Sequence, residues 1–161
     1  LRYDRVYETF SRMTFSGVEN TCVIGGDAMH ILKQYFKQCL QHVFVNYPEP
    51  PERTSGVADS QGQHLLTGDF FVMLRERLLP DGMVTILTDN HLYAKSLTEL
   101  ICTSGFTSIE LANFDADPIN ITVTHDNATV HLYEGTPSAA CGHVASASSY
   151  FNRMWSEGNK S

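Results

Sequence analysis

The chain has 161 residues, 42% hydrophobic and 18% charged, which is enough apolar material for one core of domain size. Eighteen acidic side chains against 11 basic ones give a formal charge of −7, which argues against indiscriminate binding of nucleic acid through a basic surface. No apolar run is long enough for a bilayer span or a signal peptide, so no membrane association and an intracellular location, cytoplasmic or nuclear, are expected.

Val6, Phe10 and Met13 recur at helical spacing and Gly17 ends the pattern, so the chain opens within a helix. Thr21 to Ile24 reads as a buried strand that ends at Gly25-Gly26-Asp27. Ala28 to Leu40 repeats Met29, Leu32, Phe36 and Leu40 as an amphipathic helix. A short strand over 42–46 runs into Tyr47-Pro48-Glu49-Pro50-Pro51, where the prolines stop the ladder and stiffen the loop. After a polar loop over 52–64, Leu65 to Leu79 is a helix with Phe70, Phe71, Leu74 and Leu78 toward the core. Pro80-Asp81-Gly82 reads as a turn, and Val84 to Leu87 as a strand ending at Thr88-Asp89. A helix over 91–103 stops at Gly105, and Thr107 to Leu111 is a short strand. Ile121 to Thr124 and Thr129 to Tyr133 alternate about Asp126-Asn127, the pattern of a hairpin. Tyr150 to Trp155 is a last strand.

This alternation predicts an α/β fold with a Rossmann-like, mostly parallel sheet, helices on both faces and an antiparallel C-terminal strand or hairpin. Strands 21–24, 42–46 and 84–88 are expected to be parallel neighbours. A single domain over 1–161 is expected, with 118–134 as an inserted hairpin. Right-handed crossovers put the ends of the three strands on one edge, where open α/β sheets bind ligands. Asp27, Glu49 and Asp89 each follow a strand there. At each position a helix cap or a turn is the competing reading.

Cys22, Cys39, Cys102 and Cys141 stand singly and read as free thiols. Seven histidines show no metal spacing, so no metal is expected. The Ser-rich stretch 146–149 has no nucleophile elbow.

In order, Gly26-Asp27-Ala28, Tyr47-Pro48-Glu49-Pro50, Leu78-Leu79-Pro80-Asp81-Gly82 and Thr88-Asp89 resemble the motif set of the tRNA (guanine-N7) methyltransferases, which use S-adenosylmethionine on a Rossmann-like fold. The resemblance runs from about Val6 to Cys102, with a weaker echo in Tyr133-Glu134-Gly135 and Phe151-Asn152-Arg153. It implies that Asp27 and Ala28 lie against the cofactor's adenine, that Asn46 meets the cofactor through its backbone, and that Glu134 lies near it. It places Glu49 and Asp89 in the guanine pocket, as the catalytic pair. It also implies tRNA as the substrate.

The sequence departs from the family in several places, among them a C-terminal Thr that is not matched, with His131 or Leu132 near its place. The family's glycine-rich cofactor loop and the strand before it would precede Leu1, so the N-terminal strands of the fold are expected to be missing from this chain. The basic run after the Pro-Asp-Pro-Trp motif is replaced by PERTSGVADSQGQH, in which only Arg53 keeps the charge. Glu49 stands for the motif's Asp, and Pro51 for its Trp.

Three functions therefore compete: a tRNA guanine-N7 methyltransferase that needs a further N-terminal segment or a partner subunit, a methyltransferase with another substrate, and an inactive binding or scaffold protein of the same fold. The chain alone is expected to be inactive.

Overall fold

A computed structural model of the chain describes residues 3–51, 64–108 and 118–134. The described elements are α1 (Tyr3–Phe15), α2 (Ala28–Tyr35), β1 (Leu40–Asn46), α3 (Gly68–Arg77), β2 (Leu78–Leu87), α4 (His91–Thr103), β3 (Pro118–His125) and β4 (Ala128–Tyr133). β1 and β2 pair in parallel, and β3 and β4 form a separate antiparallel pair. The predicted α/β class, with a parallel sheet and an antiparallel C-terminal pair, is the observed one.

The β1–β2 ladder runs in register from His42↔Met83 to Asn46↔Leu87. On such a ladder alternate residues share a face. Val43, Val45, Val84 and Ile86 turn to the core built by Leu66, Phe70, Phe71, Leu74, Leu78, Tyr93 and Leu97. Ala28, Met29 and Leu32 of α2 pack on the same core. Three helices therefore close one face of the sheet. On the other face the His42 and Phe44 rings stack at 3.9 Å, and His42 Nε2 lies 2.8 Å from Thr85 Oγ1.

Four local readings change. The segment Thr21–Ile24 is not a strand, and Ile24 is 48% exposed. A strand exists only through a ladder partner, and no described segment pairs with this one; β1 and β2 pair with each other. The helix predicted over 28–40 ends at Tyr35, with Phe36 already extended. The Cys39 amide donates to the Arg77 carbonyl and Leu40 pairs with Leu78, so the last predicted helical residues serve the sheet instead. Likewise α3 begins at Gly68 behind its cap Thr67 and ends at Arg77, because Leu78 is the first residue of β2. Finally, Pro80-Asp81-Gly82 is not a free turn but part of β2. Between the pairs Leu40↔Leu78 and His42↔Met83, β2 carries four residues opposite Gln41 alone. Pro80 has no amide to give to a ladder, so the excess loops out as a bulge within the strand.

The terminators were legible. Gly17 (φ 65°) and Gly105 (φ 80°) take the left-handed conformation after α1 and α4. Asp126 and Asn127 both have positive φ, which is the two-residue turn that matches strand twist in a hairpin. The strand predicted at Tyr150 to Trp155, most of that at Thr107 to Leu111 and most of the loop over 52–64 lie outside the described residues.

Candidate active site

The parallel register places the ends of β1 and β2 side by side: Asn46 pairs with Leu87, and the Tyr47 amide donates to the Leu87 carbonyl at 2.8 Å. Tyr47 has φ 50°, uncommon for a residue with a side chain, and turns the chain out of the sheet into Pro48-Glu49-Pro50. Glu49 thus leaves the sheet two residues after Tyr47, and Asp89 two residues after Leu87. Two loops with one carboxylate each leave from adjacent strand ends at the same edge.

Both carboxylates are exposed, and among the described residues neither makes a hydrogen bond or an ion pair. The cap of α4 is Asn90, whose Oδ1 accepts from the Tyr93 amide at 2.9 Å. Asp89 is therefore relieved of capping. Asp27 is not: its Oδ1 accepts from the His30 amide at 2.8 Å and caps α2. Its second oxygen and the start of α2 at Ala28 stay at the surface of that turn. The carbonyl of Leu32, later in α2, accepts from Arg77 Nε near the start of β2.

Asn46 is exposed at the end of β1, beside Leu87. Glu134 follows β4 and is exposed. Cys102 in the last turn of α4 donates through its thiol to the Val123 and Ala128 carbonyls, both at 3.4 Å. The hairpin turn thus sits at the far end of α4, and β4 leads away from it toward Glu134. The structure puts Asn46, Glu49 and Asp89 at, or within a few residues after, adjoining strand ends. It places Asp27 and Ala28 at a helix start and Glu134 just past a strand end.

Two residues escaped the sequence reading. Tyr93, 6% exposed, puts its hydroxyl 2.9 Å from His64 Nε2, with the two rings tilted at 5.4 Å. Burial pushes the Tyr93 phenol up to about 12 and lowers the His64 imidazole, against a backbone hydrogen bond to Leu66 that raises it. The signal lay in the spacing of Tyr93 and Leu97 on one side of α4: a tyrosine on a buried helical face needs a partner for its hydroxyl.

Among the described residues no group of three or more His, Cys, Asp or Glu could hold a metal ion, and no helix is long and apolar enough to cross a membrane. A curated relative, a tRNA (guanine-N(7)-)-methyltransferase of Chlamydia muridarum (strain MoPn / Nigg), is 31% identical over 94 residues, which span 57% of this chain and 40% of that relative. No solved structure matches. A family model described as "Putative methyltransferase" matches residues 1–139, and with it the chain belongs to the tRNA (guanine-N7) methyltransferase family.

Proposed function

We propose that the edge at Glu49 and Asp89 holds a guanine of tRNA for methylation at N7, with S-adenosylmethionine as donor. The observation that carries this is a pair of exposed carboxylates, without a partner among the described residues, that follow adjacent parallel strand ends. The guanine N1–H and N2–H edge offers donors, and two carboxylates are matched acceptors. N7 keeps a free lone pair at neutral pH, so no side chain has to remove a proton. The protein's task is alignment, and alignment alone is a large catalytic term. The stiff Pro48-Glu49-Pro50-Pro51 segment suits it, since proline limits how far Glu49 can wander.

The donor set fits the cofactor. Asp27 uses one oxygen on its own helix and leaves the other for an exocyclic amine. The first amides of α2, at Ala28, have no intrahelical acceptor and suit a ring nitrogen. Asn46 and Glu134 would complete the cofactor's surroundings, and acidic groups suit a sulfonium. When bound, S-adenosylmethionine supplies an electrophilic methyl carbon. Asp27 and Ala28 hold its remote end, while Glu49 and Asp89 orient the base.

The test is methyl transfer to a tRNA transcript by the full-length gene product and by its Glu49→Ala and Asp89→Ala variants. Each loss of a charged hydrogen bond should cost about 1.5–3 kcal/mol, or one to two decades in rate, with the fold intact. Full activity of a folded double variant would remove guanine from this edge. Asp27→Ala should weaken cofactor binding rather than the transfer step.

A further inference from the structure

We propose that Tyr93, through its hydrogen bond to His64, is a positioning residue that fixes Asp89 at the guanine site; the proposal rests on the reading of that site given above. Asp89 sits in a three-residue turn, and both flanking residues are pinned. The Asn90 amide donates to Thr88 Oγ1 at 3.2 Å, and Asn90 Oδ1 accepts from the Tyr93 amide at 2.9 Å. Tyr93 is thus the residue on which the turn closes. Its ring lies in the core with Leu66, Phe71 and Leu97. A phenylalanine would pack there equally well, so the hydroxyl is not needed to fill space.

The hydroxyl instead reaches His64 at 2.9 Å. His64 stands just ahead of Leu66, which is fully buried, and of Thr67, the cap of α3. Tyr93 thus ties the segment leading into α3 to the Asp89 turn, its hydroxyl meeting His64 and its own amide meeting Asn90, which in turn donates to Thr88. α3 and α4 also share the apolar core, and apolar contact resists separation but not small sliding. A directional bond between the segment leading into α3 and the first turn of α4 removes that freedom beside the Asp89 turn. Small displacements at a reacting base are costly: about 1 Å can cost two decades in rate.

The experiment uses the full-length protein with Tyr93→Phe, His64→Ala and the double variant. It measures kcat and KM for tRNA methylation, affinity for S-adenosylmethionine, melting temperature, and amide exchange at Asn90 and Tyr93. Tyr93→Phe should melt cooperatively and keep its cofactor affinity. Its kcat should fall about tenfold, the worth of one hydrogen bond, and the Asn90 and Tyr93 amides should exchange faster. The double variant should lose no more than Tyr93→Phe alone, since both changes remove one bond. Unchanged kcat, unchanged exchange at Asn90 and Tyr93, or losses that add in the double variant each overturn the proposal, as does a fall in cofactor affinity that matches the fall in rate. If the unaltered protein methylates nothing, the guanine reading fails and the exchange data still decide: faster exchange in Tyr93→Phe upholds the positioning of the Asp89 turn, and unchanged exchange removes it.

Discussion

Asp27 and Asp89 stand in the same sequence setting, an aspartate between a predicted strand and a predicted helix, yet they do different things. Asp27 takes the amide of His30, while Asn90 takes that duty at α4 and leaves Asp89 free. Asn90→Ala should therefore lower stability by about 1 kcal/mol, the usual cost of losing a cap, and Asp89→Ala by less than about 0.5 kcal/mol. Thermal melts of the two variants check this; equal losses would make Asp89 a structural residue. The sequence could not separate them, because Asp and Asn both cap well and the two lie one position apart. The pair Tyr93 and His64 carries a pH dependence of known sign. Tyr93 is raised from 10 to about 12 when folded, so the unfolded chain ionises first. Its contribution is complete below pH 10 and is lost as pH rises through about 12. His64 is lowered, so the folded state favours the neutral ring. That contribution is present above the ordinary histidine value and is lost as pH falls through the depressed one. Chemical denaturation in alkaline buffers should show stability falling from about pH 10 upward, and Tyr93→Phe should flatten that fall.

At the scale of elements, what the sequence showed depended on whether the signal was local. Gly17, Gly105 and Asp126-Asn127 are local conformational demands, and each was legible where it stands. The ends of α2 and α3 were not, because they are set by the ladder: Leu40 and Leu78 pair with each other across 38 residues of sequence. The apolar period carries on past Tyr35 and Arg77, but sheet pairing overrides it. Thr21–Ile24 fails for the same reason in reverse, with strand composition and no ladder. The bulge in β2 makes a sharp prediction. A Cβ on Gly82 would lie 2.9 Å from the Leu40 carbonyl oxygen and 2.9 Å from Leu78 Cβ, at the first rung of the sheet. Neither neighbour is the far end of a flexible chain. Gly82→Ala should destabilise by about 1–3 kcal/mol in urea titrations, in the manner of an overpacked core, and a neutral result would mean that β1 and β2 are not joined at Leu40 and Leu78. α1 is the opposite case. It has no buried residue, exposes Tyr3, Tyr7, Phe10 and Phe15, and is braced on its surface by Glu8 between Arg5 and Arg12. Its amides should exchange far faster than those of α3, whose Phe70, Phe71 and Leu74 are buried.

Over the whole molecule the distribution of charge matters more than its sum. The described bases lie mostly away from the strand ends that carry Glu49 and Asp89. Arg5 and Arg12 are engaged with Glu8 on α1. Arg77 lies between Glu76 and the Leu32 carbonyl where α3 ends, and the Arg75 guanidinium rests against Gly105 beyond the end of α4. At the strand-end edge stand carboxylates, with Lys95 as a base in the second turn of α4. An acidic edge suits a sulfonium cofactor and a guanine edge rich in donors, but it offers phosphates little. The replacement of the family's basic run by PERTSGVADSQGQH was legible in the sequence, and the placement of Arg75 and Arg77 away from the site strengthens its consequence. The logarithm of a tRNA-binding protein's affinity falls against the logarithm of salt concentration with a slope of about one per phosphate contact. With one or two contacts, the 161-residue chain should lose about tenfold or less in tRNA affinity between 50 and 200 mM salt, whereas a site with six or more contacts loses about a thousandfold. Filter binding across that range measures the slope directly. A shallow slope would mean that this chain's own surface makes few phosphate contacts. A steep slope would mean that the chain carries a phosphate-binding face away from the strand-end edge, for which bases such as Lys33, Lys37, Arg53, Arg153 and Lys160 are the candidates.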